Sequence, residues 1–401
     1  MKTIVLCGAG GYGQTYVNEL LANTHKTQWV GAVEPFPENV PNKAEIDAAG
    51  VPWYRSLEEF YKDSAADLCV VASPIAFHMP QSILALQNGS HVLCEKPAAA
   101  LSSEAAAMAA ARGKAEKFLG IGYQWSYSAA VLRLKRDVSA GVYGQPVSLS
   151  ARVLWPRGRA YYSRGSGWAG RMRDSGRRWV LDSVASNATA HYLHNMLYIL
   201  GEPARAALPD AVSAVLMRAN QIETYDTAFL RMEMGETVIG FTATHAGEEN
   251  GGVASRFEFE DGVVTYDGRF TGVLKSGSAV DYGDPDDEPL SPLGKVVASL
   301  RGENDLGFSC PVEAAIPHNR VMIAALLSAE IGVFPEISDD GERYFVPGLD
   351  EVCRSCYQKL ILPKTAWAKP GAAVRLDDPK IDSYGDFSGA ANYHAFGGHT
   401  V

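Results

Sequence analysis

Lys96 follows the apolar run His91-Val92-Leu93-Cys94 and stands between Glu95 and Pro97. A lysine at the carboxyl end of a buried strand is partly desolvated. Its ammonium then releases a proton more readily, and it can hydrogen-bond or protonate a reacting oxygen. Glu95 is expected to hold it in place. A second cluster reads Asn187-Ala-Thr-Ala-His191-Tyr-Leu-His194-Asn-Met-Leu-Tyr198-Ile-Leu-Gly201. Its spacing predicts a helix with Asn187, His191, His194 and Tyr198 on one face, stopped by Gly201 with Pro203 beyond. Histidine is the side chain that both takes and returns a proton near neutral pH. No carboxylate shares that face, so the pair is read as proton-handling and no metal is expected. Between the clusters, Trp155, Arg157, Arg159, Tyr161, Tyr162, Arg164, Trp168, Arg171, Arg173, Arg177, Arg178 and Trp179 interleave aromatics with arginines. Such a surface suits a polyhydroxylated ring, including one that bears a carboxylate. The candidate substrate contacts are Lys96, Trp125, Tyr162, Trp168, Arg171, His191 and His194.

These residues need a frame, and the start of the chain supplies it. Thr3-Ile4-Val5-Leu6-Cys7 reads as a buried strand, Gly8-Ala9-Gly10-Gly11-Tyr12-Gly13 as a turn, and Gln14 to Leu21 as a helix. Gly8 permits the tight turn, Gly10 lets the backbone approach a pyrophosphate, and Gly13 lets the helix pack closely on the strand. The helix start offers free N–H groups and the positive end of its dipole to phosphates. A second apolar run, Trp29 to Val33, ends in Glu34, 21 residues past Gly13. That is the distance at which an acidic residue accepts hydrogen bonds from adenosine ribose hydroxyls. Its charge repels a 2′-phosphate, and Pro35-Phe36-Pro37-Glu38 supplies no cation, so NAD is favoured over NADP.

Strand and helix keep alternating: helices over 42–49, from Ser56 (with Glu59 at capping-box spacing), over 79–88 and over 102–117; strands over 51–54, 67–72, 91–94 and 118–122. This is the grammar of parallel β-α-β units and a doubly wound α/β sheet. Ligands bind beyond the carboxyl ends of such strands, where residues 8–13, 34, 73–74, 95–97 and 123–125 fall. Past residue 125 the pattern changes. A helix over 129–140 precedes strands over 147–155, 212–217, 227–234, 237–245, 255–260, 263–266 and 270–275, with Glu260-Asp261-Gly262 as a hairpin turn. Val147, Leu149, Ala151, Val153 and Trp155 share one face. Six or so strands in hairpin order predict a C-terminal α+β domain with a mostly antiparallel sheet. Residues 281–292 read as an acidic, proline-rich loop, and helices follow over 312–331 and 349–360. The organisation expected is 1–123 for dinucleotide binding, 124–375 for substrate and oligomerisation, and 376–401 as an arm. Tyr384, Phe387, Tyr393 and Phe396 are expected to bury that arm on a neighbouring subunit.

With 401 residues, 47% hydrophobic and 20% charged, the chain has the composition of a soluble globular protein of two domains. Its net charge of −10 argues against nucleic acid or an anionic membrane as partner. Six scattered cysteines do not make a disulfide framework and fit a reducing, cytoplasmic compartment; Cys353-Arg-Ser-Cys356 is not read as a metal or redox pair. The apolar start stops at Gly8, too early for a signal core, and no run of membrane-spanning length follows.

The chain resembles the glucose–fructose oxidoreductase and inositol dehydrogenase family. The resemblance is carried by Gly8 to Gly13, Glu34, Ala72-Ser73-Pro74 with His78, Val92 to Pro97, Gly122-Tyr123-Gln124 and the stretch His191 to Gly201. It implies a nicotinamide-dinucleotide (Rossmann) domain followed by a mostly antiparallel domain, and catalytic roles for Lys96 and His191. It implies that Ser73, Pro74, His78, Glu95, Lys96 and Gln124 line the cofactor with Gly8, Gly10, Gly11, Tyr12, Gly13 and Glu34. The family carries Asp four residues before the histidine and an acidic residue three after it; here these are Asn187 and His194. An amide can orient an imidazole but cannot stabilise its cation, so a lowered His191 pKa is expected and more of the proton transfer falls to Lys96. The activity expected is NAD-dependent hydride transfer at a secondary hydroxyl or keto group of a sugar, polyol or derivative, in a homodimer or homotetramer. A glycosidase that oxidises its sugar transiently and a non-catalytic dinucleotide-binding protein are the alternatives.

Overall fold

Thr3–Cys7 forms β1, an interior strand of a six-stranded parallel sheet. Its companions are β2 (Gln28–Val33), β3 (Trp53–Tyr54), β4 (Leu68–Val71), β5 (His91–Cys94) and β6 (Leu119–Ile121), in the order β3-β2-β1-β4-β5-β6. The computed structural model describes residues 1–164 and 167–385. A sheet with helices on both faces needs strands apolar on both sides, and β4 and β6 are buried along their whole length. The connecting helices are Gly13–Ala22, Lys43–Ala48, Leu57–Asp63, His78–Gln87 and Ser102–Ala115. Ser56 caps the third as its spacing predicts, its hydroxyl accepting from the Glu59 N–H at 3.2 Å. Connections run to opposite sides from β1 and β4, which opens the crevice where a ligand of such a sheet lies.

The second sheet has ten strands rather than six or so. Its centre is Pro146–Leu154, flanked by Gly252–Phe259 antiparallel and Thr237–Thr244 parallel. Gly262–Tyr266, Phe270–Leu274 and Ala279–Gly283 extend it on one side; Thr227–Met234, Ala211–Arg218 and Ile331–Val333 extend it on the other. Val374–Arg375 also pairs with Ala211–Arg218. Strands of three or two residues carry too little alternation to be read from sequence. The acidic stretch expected as a loop from 281 begins inside Ala279–Gly283, where Asp281 pairs with Thr271. The hairpin at 260–261 is as predicted, with Phe259 opposite Gly262. Leu149, Ala151 and Val153 face the core, whereas Val147, at the strand's beginning, is 48% exposed.

That core is shared with Val131 and Leu134 of helix Ala129–Ser139, with Leu193 and Leu197 of helix Ala190–Leu200, and with Val321 and Ile323 of helix Val312–Ser328. Helix Leu349–Lys359 covers a separate cluster, in which Cys353 and Cys356 meet Leu154, Val215, Met217 and Phe229. All six cysteines are free and buried. Helix Val312–Ser328 also returns to the first sheet. Asn319 Nδ2 donates to the Ala99 carbonyl at 2.6 Å, Arg112 pairs with Glu313 at 2.8 Å, and the Ile121 N–H donates to the Cys310 carbonyl at 2.9 Å. The edge strand β6 is thereby covered. At the end of the described residues, Tyr384 lies 6.1 Å from the Trp179 ring of its own chain. Phe387, Tyr393 and Phe396 lie outside the described residues. Among the described residues, no helix is long and apolar enough to cross a membrane.

Candidate active site

The glycine turn joins β1 to the first helix with Gly8 at φ +83° and Gly11 at φ +52°. A Cβ on Gly8 would meet the Ser73 nitrogen at 2.7 Å, so the turns after β1 and β4 touch there. A Cβ on Gly13 would fall 1.9 Å from the Gly8 carbonyl oxygen, which is the close helix–strand packing its position predicts. Nothing lies within 4 Å of where a Gly10 Cβ would stand. That open side and the helix start are what a pyrophosphate requires. Glu34 is held at the mouth of the turn, its carboxylate accepting from the Ala9 N–H at 3.3 Å and from the Phe36 N–H at 3.4 Å. The residues therefore fit a bound dinucleotide. Arg55, which sequence reasoning passed over, reaches the same corner by donating to the Pro35 carbonyl.

Beyond β4 and β5 the side chains lock the two turns together. Ser73 donates its hydroxyl to Gln81 at 2.6 Å. His78 is 1% exposed, with Nδ1 2.8 Å from the Pro97 carbonyl and Nε2 2.9 Å from the Ser73 carbonyl. Both ring nitrogens thus face backbone carbonyls, and His78 ties the turn after β4 to the turn after β5. Burial holds its pKa below the usual imidazole value. Gln124 is half-buried at the start of a short turn after β6, and Tyr12 is 42% exposed at the helix start.

Glu95 does not hold the Lys96 ammonium. Its Oε1 accepts from the Tyr16 hydroxyl at 2.6 Å and its Oε2 from the Lys96 backbone N–H at 3.2 Å. Burial raises its pKa, with Tyr16 and the Lys96 charge opposing. The peptide between Lys96 and Pro97 is cis. The Lys96 ammonium donates instead to the carbonyl oxygen and the side-chain Oδ1 of Asn187, each at 2.8 Å. Asn187 Nδ2 donates to Asp182 Oδ1 at 2.8 Å, and Asp182 Oδ2 accepts from the Gly170 N–H at 2.6 Å. The amide orientation follows from chemistry: a lysine only donates and a carboxylate only accepts. Burial lowers the Lys96 pKa; Glu95 and Asp182 oppose this, and Arg164 adds to it. Asp182, 2% exposed, has its own pKa raised by burial.

Asn187 is not on the helix of the histidines. It lies in a wide turn, Val184–Ala188, and the helix proper begins at Ala190. Capping by Ser183, whose hydroxyl accepts from the Ser186 N–H at 3.1 Å, starts that turn separately. Asn187 therefore orients Lys96, not His191. Along Ala190–Ile199, His191 is the one residue that is not buried. Its ring packs edge-on to Tyr123 at 5.8 Å, and its Nδ1 is buried without a partner. Its pKa is held well below the usual value, first by burial and then by the charges of Lys96 and His318. The direction is the one expected from Asn187, but desolvation rather than a missing carboxylate is the main cause.

Three candidate substrate contacts fall elsewhere. His194, 1% exposed, stacks on Tyr123 at 3.8 Å and bonds Ser126 Oγ at 3.0 Å through Nε2. Trp125, 3% exposed, donates to Asp286 at 2.7 Å and packs among Tyr192, Tyr266 and Phe270. Arg171 faces outward and pairs with Glu223 at 3.3 Å. The first two are core residues because a helix buried on all sides and an aromatic cluster need them there; Trp125 Nε1 and His194 Nε2 find internal partners, while His194 Nδ1 has none. Tyr162 and Trp168 are half-buried. Tyr162 bonds His245 Nδ1 at 3.1 Å, and the Arg164 guanidinium lies 5.7 Å from the Trp168 ring. Asp182, Tyr16 and His245 are the partners that sequence reasoning missed. Only Asp182 left a sign, as a lone carboxylate in Val180-Leu181-Asp182-Ser183-Val184. No cluster among the described residues could hold a metal ion.

Residues 2–123 match the model of an oxidoreductase family with an NAD-binding Rossmann fold. Among curated relatives, the D-glucoside 3-dehydrogenase of Escherichia coli is 33% identical over 88 residues, 22% of this chain and 25% of that protein. The 1,5-anhydro-D-fructose reductase of Ensifer adhaerens is 29% identical over 154 residues, 38% of this chain and 43% of that protein. An inositol 2-dehydrogenase of Mycolicibacterium smegmatis is 30% identical over 153 residues. The matched stretches span 25 to 43% of the length of these relatives. Solved structures agree over more of the chain. The WlbA dehydrogenase of Bordetella pertussis, in complex with NADH and UDP-GlcNAcA, superposes with TM-score 0.66 over 81% of this chain and 95% of its own, at 20% identity. A levoglucosan dehydrogenase with NADH and levoglucosan gives 0.63 over 81% and 96%, at 15% identity. At these identities the likeness establishes the two-domain fold.

Proposed function

We propose that the protein is an NAD-dependent oxidoreductase that moves hydride between the nicotinamide and a secondary carbinol or keto carbon of a sugar, a polyol or a sugar derivative. The observation that carries this reading is the Lys96 ammonium, held at the sheet edge by both oxygens of Asn187. The family description of residues 2–123 and the sugar and polyol relatives support it. When bound, the nicotinamide ring supplies the two-electron acceptor or donor.

The chain's own residues do the rest. A neutral lysine amine has two N–H bonds and one lone pair. Asn187 offers two acceptors, so the lone pair is left for the substrate hydroxyl. In oxidation Lys96 Nζ takes the hydroxyl proton as the carbinol hydride leaves; in reduction it returns that proton to the forming alkoxide. His191, neutral and only half-buried, positions the same hydroxyl. Tyr162 and Trp168 form the wall for the sugar. Glu34 sets the preference for NAD. The reading extends to a cytoplasmic homodimer or homotetramer, supported by the six free buried thiols and by the outward pair Val263–Val273, whose Val273 is 52% exposed.

The test is to incubate purified protein with NAD and a sugar and polyol panel while following NADH and glycoside cleavage together. NADH growth supports the dehydrogenase. Cleavage without NADH replaces it with the redox-neutral glycosidase, and NAD binding with neither replaces it with a binding protein.

A further inference from the structure

The segment beside Lys96 carries positive charge that the described residues leave unpaired. The Arg164 guanidinium lies 3.7 Å over the Tyr161 ring, and that of Arg157 lies 5.2 Å from the same ring and 5.7 Å from Trp155. Among the described residues, fourteen arginine or lysine side chains have a carboxylate within 4.0 Å, but neither of these two guanidiniums does. Arg157 Nε is buried without a partner.

His245 completes the group. It is 2% exposed, its Nδ1 shares a hydrogen bond with the Tyr162 hydroxyl at 3.1 Å, and its Nε2 is buried and unpartnered. Burial and the charges of Arg157 and Arg164 depress its pKa to about 3, so the ring is neutral. With the phenol donating to Nδ1, the ring proton sits on Nε2, a buried donor with no acceptor. Unmet donors of this kind are costly in a finished core and are common where a ligand completes the set. The group adjoins the proposed catalytic amine: the Arg164 charge acts on Lys96, and Asp182, which orients Asn187, acts on Tyr161 and Tyr162.

Resting on the sugar-oxidoreductase reading above, we propose that Arg157, Arg164 and His245 form a subsite for an oxyanion carried by the substrate, so that the substrate is an acidic sugar or cyclitol bearing a carboxylate or a phosphate. Two guanidiniums and an N–H donor over an aromatic platform recognise either group by charge-assisted hydrogen bonds. A neutral polyol would leave both cations without a counter-charge beside Lys96.

The test titrates the protein–NADH complex with glucose, glucuronate and glucose 6-phosphate, following NADH fluorescence. At least one anion is expected to bind about tenfold or more tighter than glucose, the range of a charge-assisted pair. Arg157→Ala and Arg164→Ala are each expected to remove that preference, with NADH affinity measured on the same samples to report folding. A preference for glucuronate assigns the carboxylate and one for glucose 6-phosphate the phosphate. Equal affinities, no anion binding, or a preference that survives both substitutions overturns the subsite. NADH formation from neutral polyols alone would overturn the subsite and keep the dehydrogenase. Anion binding lost in both variants, with no NADH formed from any sugar, would keep the subsite and remove the dehydrogenase.

Discussion

The Lys96 ammonium and Asn187 meet through two hydrogen bonds of 2.8 Å, one to the main-chain oxygen and one to the side-chain oxygen. Behind the amide stands the Asp182 carboxylate, itself anchored by the Gly170 N–H. A negative charge one amide away from Lys96 stabilises its charged form.

This relation fixes the direction of a pH effect. If Lys96 acts as the base, kcat/KM for oxidation rises with pH through a midpoint below the usual lysine value, since burial lowers the pKa. Asp182→Asn removes an opposing charge, so the limb moves to lower pH, by about one unit at most. Asn187→Asp brings a carboxylate into contact, so the limb moves to higher pH. Profiles of kcat/KM for the three proteins check both signs.

The glycine turn separates fold from ligand. Gly13→Ala puts a Cβ 1.9 Å from the Gly8 oxygen. It should destabilise the domain by about 3 kcal/mol or more and abolish NAD binding together. Gly10→Ala meets nothing within 4 Å. Its Tm should match the parent's, while NAD affinity falls because the pyrophosphate needs that space. Thermal melts with and without NAD distinguish the two.

Lys135 is 4% exposed, and its ammonium donates to the carbonyls of Tyr198, Gly201 and Arg205 at the end of helix Ala190–Leu200. Lys135→Met leaves three carbonyls without their donor and removes a cation from the negative end of the helix. Urea unfolding should show a loss of about 3 kcal/mol.

Buried imidazoles make the fold acid-sensitive. Burial puts the His318 pKa at about 4, with the Lys96 charge adding to it. In the unfolded chain the ring takes a proton below about pH 6.5, whereas in the folded chain it stays neutral. Stability is therefore full above that value and falls as pH drops toward the folded pKa. The contribution of this one residue is about 2 kcal/mol at pH 5. The raised pKa values of Glu95, Asp182 and Asp226 act in the opposite sense, so the single substitution is the clean comparison. His318→Gln should flatten the fall of Tm between pH 7 and pH 5.

Much of this was legible before the structure. The glycine turn, Glu34 and the parallel strands follow from local pattern, because buried runs between helices tolerate little else. Lys96 was legible because a charged residue ending a buried strand has few places to go. Asn187 was placed on the wrong element: helical spacing continues smoothly from 187 to 198, but Ser183 starts a separate wide turn that delivers the amide to Lys96 instead. His194, Trp125 and Arg171 shared the composition of a site, and what assigned them elsewhere were partners distant in sequence: Ser126, Asp286 and Glu223. The same distance hid the Tyr16–Glu95 and Tyr162–His245 pairs.

The central claim is that the Lys96 amine exchanges the substrate's hydroxyl proton at the rim of the nucleotide crevice. Its most direct test is single-turnover NADH formation by Lys96→Ala, with NAD affinity measured on the same protein. The account predicts a rate lower by about a thousandfold or more with NAD affinity nearly unchanged, the size expected when a general acid–base group is removed. Turnover at the parent rate would contradict it.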